Sequence, residues 1–502
     1  MCGILGIMAN SPVAQEIYDG LTTLQHRGQD SAGIMTFEDH FHLKKGNGLV
    51  RDVFHTKNMI RLRGTVGIGH VRYPTAGSYD AAEAQPFYVN SPFGISLIHN
   101  GNLTNYDQLK QEIKKKDLRH LNTKSDSELL LNVLARALRE INVTELTPEK
   151  IFKAMEIVFR RLKGSYSAIA IIADYGMIAF RDPYGIRPLC YGVKKKDSLV
   201  PEYLFASESV AIDTLGYDFV ADVQPGEVIF VDMKRQIHKK QVAKKHWAPC
   251  IFEHVYIARP DSILDEVSVY KARLRMGSTL AKKIKHSKIK IDVVVPIPDS
   301  SRSSALSLAA ELGVRYREGL IKNRYIGRTF IMPGQEIRKK SIHYKLNTIK
   351  LELRKQNVLL VDDSIVRGNT SKKIIEMVRE AGAKKVYFAS AAPPLTNPCL
   401  YGVDMPSKKE FVANGLTTDE ICKVIGADKL FYQDVPDLLS AAKKGNPKIT
   451  NFCYACMGGK YPTGDITKEM LAKAEASRGD VHMIEKFVGE VDEIRDDQLS
   501  LL

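Results

Sequence analysis

No apolar stretch in this sequence approaches the ~18 residues needed to cross a bilayer. The start, MCGILGIMANS, has neither the basic opening nor the long apolar middle of a secretion signal. A cytoplasmic chain without a membrane anchor is expected. Cysteine is sparse, seven in 502 residues, and without a signal peptide that count does not read as a disulfide framework, so each Cys is weighed as nucleophile, metal ligand or core filler. Gly and Pro (35 and 21) together make up about 11% of the chain, far from collagen-like or disordered composition. Internal repeats are missing, and so is a single basic block. The 73 Lys and Arg exceed the 58 Asp and Glu by +15, yet the lysines lie in short clusters along the whole length, such as Lys114 to Lys116 and Lys443 with Lys444. That scatter reads as solvated surface, with no nucleic-acid or membrane partner, and leaves phosphorylated small molecules as a use for part of the surplus.

What remains is ordinary globular composition, 44% hydrophobic and 26% charged, in a length that predicts two or three domains. Across the first ~235 residues, short apolar runs between turn signals predict strands at Gly3–Met8, Thr65–His70, Gly94–His99, Ser167–Ala173 and Gly226–Asp232. Leu130, Val133, Leu134, Ala137 and Leu138 repeat at helical spacing behind the cap candidate Ser125. This half predicts helices packed on antiparallel sheets, an α+β domain over 2–235. Met233–Trp247 loses the apolar period and predicts a linker. From about Ile251 the pattern changes: IDVVVPIP (Ile291–Pro298) and NVLLVDDS (Asn357–Ser364) each precede a small-residue turn and a helical segment. Buried strands alternating with helices predict a parallel α/β sheet over 250–450, followed by a tail, 451–502, with a CxxC and a helical run.

Cys2 follows Met1 and precedes Gly, and small residues there permit removal of Met, leaving a cysteine with a free α-amine. With a pKa of about 7.7 to 8.0, that amine can take the thiol proton near neutrality. Its own motif, MCGILGI, is followed by HRGQDSAG (His26–Gly33), GHVRYPTAG (Gly69–Gly77), HNGNLTNY (His99–Tyr106) and SDSELL (Ser125–Leu130). Five motifs in this order resemble the glutamine amidotransferases of the N-terminal-nucleophile (Ntn) class, and the likeness covers most of the first 235 residues. It implies an Ntn hydrolase sandwich in which Cys2 attacks the glutamine amide, with Asn100 and the Gly101 amide as the oxyanion hole. Arg72 would then hold the substrate carboxylate and Asp126 the ammonium, with Arg27 also at the substrate. Taken without the family, Arg72 reads as a surface arginine and Asp126 as a helix cap.

NVLLVDDSIVRGNTSKK ends an apolar strand in Asp362 and Asp363 and continues into Gly368, Asn369, Thr370 and Ser371 at a helix start, where backbone N–H groups bind phosphate without Lys or Arg. An acidic pair ending a strand can also be a plain turn. The motif nevertheless resembles the phosphoribosyl-diphosphate loop of type I phosphoribosyltransferases. That likeness implies phosphate contacts from Arg367, Gly368, Asn369 and Thr370, and Mg2+ held by Asp362, Asp363 and Ser300 of the PIPDSSRSSA segment. The loop reads VRGNT where VRGTT is usual, which leaves the Asn369 contact open. The basic segment Lys322–Asn347, with Arg328, resembles the flexible loop that folds over substrate in that family.

In this order the two halves resemble the amidophosphoribosyltransferase family. The resemblance implies that glutamine and phosphoribosyl diphosphate give 5-phosphoribosylamine, glutamate and pyrophosphate, with ammonia passed internally, feedback by AMP and GMP, and a homotetramer. Many members of its cluster-bearing branch begin with a short propeptide, whereas here Cys2 follows Met1 directly. Cys250, Cys399, Cys453 and Cys456 match the 4Fe-4S ligands of that branch. A lone CxxC by itself suits zinc, iron-sulfur or redox work equally, and Cys190 and Cys422 read as packing residues. Two rival classes are an aminating sugar-phosphate synthase, which would carry isomerase features in place of VLLVDDSIVRGNT, and a non-catalytic regulator, which would not need Cys2 with Arg72, Asn100 and Asp126.

Overall fold

The computed structural model describes residues 1–73, 81–141, 145–195, 200–323 and 346–476. Two antiparallel sheets form the N-terminal half. One runs Asp218–Asp222, Cys190–Lys194, Glu202–Ala206, Gly3–Met8, Val66–Arg72, Ser31–Phe37, Phe41–Asn47. The other runs Ile237–Gln241, Glu227–Asp232, Gly176–Arg181, Gly164–Ile172, Ile95–Leu103, Phe87–Val89.

Side chains alternate across each strand and so feed different layers. Ile4, Met8 and Ile68 of the first sheet pack against Ile98, Ile169 and Ile171 of the second, whereas Leu5 and Ile7 face helix Ala14–Thr23 through Ile17 and Leu21. Leu97 and Tyr166 meet helices Asp126–Glu140 and Pro148–Arg161 on the far side. The result is helix, sheet, sheet, helix. The predicted cap is present: Ser125 Oγ accepts from the Ser127 amide.

The expected linker holds a strand, because Ile237–Gln241 pairs with Glu227–Asp232 over five residues. IHKKQ carries no apolar alternation since it is an exposed edge, where Lys discourages further pairing.

The C-terminal half has a five-stranded parallel sheet, in the order Arg315–Tyr316, Val293–Pro296, Asn357–Asp362, Lys385–Ser390, Lys429–Tyr432. The stretches Val293–Val295 and Val358–Val361 of its central strands are apolar at every position because both faces are covered: Val293, Val295, Val358 and Leu360 lie in one core and Val294, Leu359 and Val361 in the other. Asp362 ends the middle strand at the carboxyl edge, where open α/β sheets leave a crevice. The tail returns to the start of this half, where the backbone of Cys453 pairs in parallel with that of Cys250, both thiols being free. Its helix begins at 468 and continues through 476. Among the described residues no helix is long and apolar enough to cross a membrane.

Candidate active sites

Cys2 stands at the mouth of the first sheet, one residue before the buried strand Gly3–Met8. Asn100 and Gly101 arrive from the opposite sheet, in Ile95–Leu103. The Cys2 amide donates to Asn100 Oδ1 at 3.3 Å, and its thiol lies 3.8 Å from the Tyr73 carbonyl. The buried Asn100 Nδ2 has no hydrogen-bond partner among the described residues, which leaves a donor on the side chain that meets the Cys2 amide. Gly101 (φ +156°) must be glycine, since a Cβ would come 2.1 Å from the Ser165 carbonyl. Met1 is present and buried with its α-amine, which burial pushes down to about 6.

Arg72 ends strand Val66–Arg72 and pairs with the buried Glu83 at 2.5 Å. Asp126 opens its helix and accepts the Leu103 amide at 3.0 Å, with His99 Nδ1 3.7 Å from its other oxygen. Burial opposes its charge, but His99 and the amide outweigh it and hold the carboxyl below the usual range.

Arg27, expected at the substrate, reaches the Cys2 backbone. Its fully buried guanidinium turns inward, donating to the Cys2 carbonyl (3.0 Å), to Glu208 (2.5 Å) and to both oxygens of Glu253 (2.9 and 3.1 Å). Every guanidinium nitrogen is thereby engaged by the protein itself. Burial works against the charge, but the two carboxylates more than restore it. Glu208 and Glu253 were missed in the sequence. The available signal was an acid inside the apolar run CIFEHVYIA.

At the second site Ser300 Oγ donates to Asp363, Ser301 Oγ donates to Asp362 at 3.3 Å, and Ser364 Oγ donates to Asp363 at 2.6 Å. Burial, with the neighbouring Asp363, pushes Asp362 well above the carboxylate range, and burial raises Asp363. Gly368 (φ +78°) caps helix Asn369–Glu380, so Asn369 and Thr370 lie exposed in a first turn whose amides have no helical partner. Arg367 is held by Glu410 at 2.8 Å. Arg328 and the rest of 324–345 lie outside the described residues.

The four cysteines come from three distant stretches into one place: Cys250, Cys453 and Cys456 are buried in a single apolar cluster, and Cys399 packs against it. Among the described residues no three His, Cys, Asp or Glu side chains are arranged around one metal ion. Arg187 is buried against this cluster, and its Nε and Nη2 have no partner among the described residues. Cys190 is buried, as expected of a packing residue, and so is Cys422.

The glutamine amidotransferase domain family matches residues 72–214, and the phosphoribosyl transferase domain family matches 265–421. An amidophosphoribosyltransferase of Pseudomonas aeruginosa is 57% identical over 96% of each chain. That of Escherichia coli is 53% identical over the same shares. A solved glutamine phosphoribosylpyrophosphate amidotransferase from B. subtilis, complexed with ADP and GMP, superposes with a TM-score of 0.83 at 35% identity, covering 93% of this chain and 98% of that one. On this identity and coverage the chain belongs to the amidophosphoribosyltransferase family, glutamine-dependent enzymes that carry out the first step of purine biosynthesis.

Proposed function

We propose that this chain makes 5-phosphoribosylamine with Cys2 as the glutaminase nucleophile and the Asp362–Thr370 loop as the phosphoribosyl site. The observation that carries the reading is the meeting of Cys2 with Asn100 across two sheets at 3.3 Å. Once Met1 is removed, the Cys2 α-amine takes the thiol proton and Sγ adds to the glutamine side-chain carbonyl. Asn100 Nδ2 and the Gly101 amide stabilise the oxyanion, worth roughly 3 to 4 kcal/mol per donor in such sites. Ammonia leaves, and water releases glutamate from the thioester. Arg72 and Asp126 hold the two charged ends of the amino acid, Arg72 exchanging Glu83 for the substrate carboxylate. Arg27 is a positioning residue for Cys2 in this scheme.

Ammonia then reaches C1 of the ribose as pyrophosphate departs. The 5-phosphate is taken by Gly368, Asn369 and Thr370, with Arg367 beside them. Two carboxylates forced together in a buried place, both reluctant to ionise, fit a dication. When bound, Mg2+ held by Ser300, Asp362 and Asp363 supplies positive charge for the leaving pyrophosphate. Glutamine chemistry is assigned to 2–235, transfer to 250–450, and 451–502 is the tail.

The cysteines support a 4Fe-4S cluster. Four thiols in or against one apolar cluster, beside a buried Arg187 that pairs with Glu253 through one nitrogen and has two others without a partner among the described residues, suit an anionic group. Cys250, Cys399, Cys453 and Cys456 would hold the cluster, which when bound ties the tail to the transferase half. A cytoplasmic homotetramer inhibited by AMP and GMP completes the reading, the nucleotides of the B. subtilis complex lending support to the inhibition.

Replacing both Asp362 and Asp363 with Asn should abolish pyrophosphate release from phosphoribosyl diphosphate while glutamine hydrolysis survives. Unchanged pyrophosphate release would refute the assignment of the second site.

A further inference from the structure

We infer that the second half of the chain sets the oxyanion hole of the first, with the turn Cys399–Val403 acting as a positioning element for Asn100 and Gly101. The inference rests on the reading of those two residues as the oxyanion donors. One edge of strand Ile95–Leu103 is fully paired, Gly101 with Tyr166 and Asn102 with Ser165. Its other edge is paired by strand Phe87–Val89 only as far as Leu97. Beyond that, Gln85 takes both backbone groups of His99, and the turn from the second half takes over.

The turn is fastened at two points. Asn102 Nδ2 donates to the Leu400 carbonyl at 3.0 Å, and Ser165 Oγ donates to the Tyr401 carbonyl at 2.9 Å. Next to them Gly402 (φ +95°) lies so close that a Cβ there would stand 2.7 Å from the Gly101 oxygen and 2.9 Å from its carbon. On its other side, Gly101 already lies against the Ser165 carbonyl. The Gly101 peptide is therefore clamped, and any push from Gly402 is taken up by rotation at a residue with no side chain to resist it. Gly402 presses on the carbonyl of the Gly101–Asn102 peptide and on the Gly101 Cα, and through that Cα a shift reaches the preceding peptide, whose N–H is the oxyanion donor.

The tail holds the turn from behind. Tyr401 Oη and Thr463 Oγ1 are 2.6 Å apart, Tyr461 Oη donates to the Pro398 carbonyl at 2.5 Å, and the two tyrosine rings meet edge to face at 5.8 Å. Thr104, three residues past Gly101, donates to Asp465 at 2.9 Å. Tail, turn and oxyanion strand thus form one packed stack.

A misaligned donor costs up to the whole of its contribution, on the order of a hundred- to a thousandfold in kcat. Gly402→Ala is expected to lower kcat for glutamine hydrolysis about tenfold, leaving KM for glutamine within about twofold because Arg72 and Asp126 are untouched. Synthesis from ammonia should be retained. Ser165→Ala removes one fastening without adding bulk and should lower the same kcat about threefold. If Gly402→Ala does not fold, as loss of ammonia-dependent synthesis would reveal, Ser165→Ala decides. Asn100→Ala in the same assay separates the two claims. Should it leave glutamine hydrolysis intact, the oxyanion reading itself fails. Should it abolish hydrolysis while Gly402→Ala and Ser165→Ala leave kcat unchanged, or reduce the glutamine and ammonia reactions alike, the positioning inference is overturned.

Discussion

Arg27 and Glu253 form a fully buried, two-pronged ion pair across the two halves of the chain, at 2.9 and 3.1 Å. The same guanidinium holds the Cys2 carbonyl, so a carboxylate from the start of the transferase half stands one side chain away from the nucleophile. Glu253→Gln leaves part of a buried charge uncompensated, which costs about 3 kcal/mol or more. Expected outcomes are a lower melting temperature and a several-fold lower glutamine-dependent kcat, with ammonia-dependent synthesis less affected. An unaltered melting curve would show that Glu208 alone suffices for Arg27.

His254 predicts an acid limb in stability. Burial pushes its pKa from 6.5 down to about 4, so the folded chain binds a proton less readily than the unfolded one. Its contribution is complete above pH 6.5 and is lost as pH falls toward and through about 4, at most roughly 3 kcal/mol. Denaturant midpoints measured from pH 8 to 4 should fall less steeply in His254→Gln than in the parent. Parallel curves would place the acid limb elsewhere.

The parts of this architecture that local sequence could carry were legible. Gly3–Met8, the Ser125 cap and the strand ending at Asp362 each depend on neighbours within a few residues, through pleat, helix period or turn chemistry. Long-range pairings were not. Arg27 sits in a motif that suggests substrate contact, yet its partners lie 181 and 226 residues away. Gly402 reads as an ordinary turn glycine until Gly101 is seen against it. The strand Ile237–Gln241 was hidden because an exposed edge needs no apolar alternation.

Cluster loading makes a third expectation. Protein purified without oxygen should be brown, absorb broadly near roughly 400 nm and carry about four irons per chain. Cys399→Ser should lose colour and loosen the tail to proteolysis. Colourless parent protein with one zinc per chain would remove the cluster and leave the catalytic assignment in place.

Feedback is expected to compete with substrate, since a purine mononucleotide and phosphoribosyl diphosphate share the ribose 5-phosphate that the Asp362–Ser371 loop would bind. Inhibition by AMP or GMP should weaken as phosphoribosyl diphosphate rises. Insensitivity to substrate concentration would place the nucleotide at another site.

The central claim, two chemistries in one chain with Cys2 serving only the first, is tested most directly by Cys2→Ala assayed for pyrophosphate release with glutamine and, separately, with concentrated ammonium at alkaline pH. The glutamine reaction should vanish while the ammonia reaction stays within about twofold of the parent. Loss of both in a protein that melts normally, or survival of the glutamine reaction, would contradict the account.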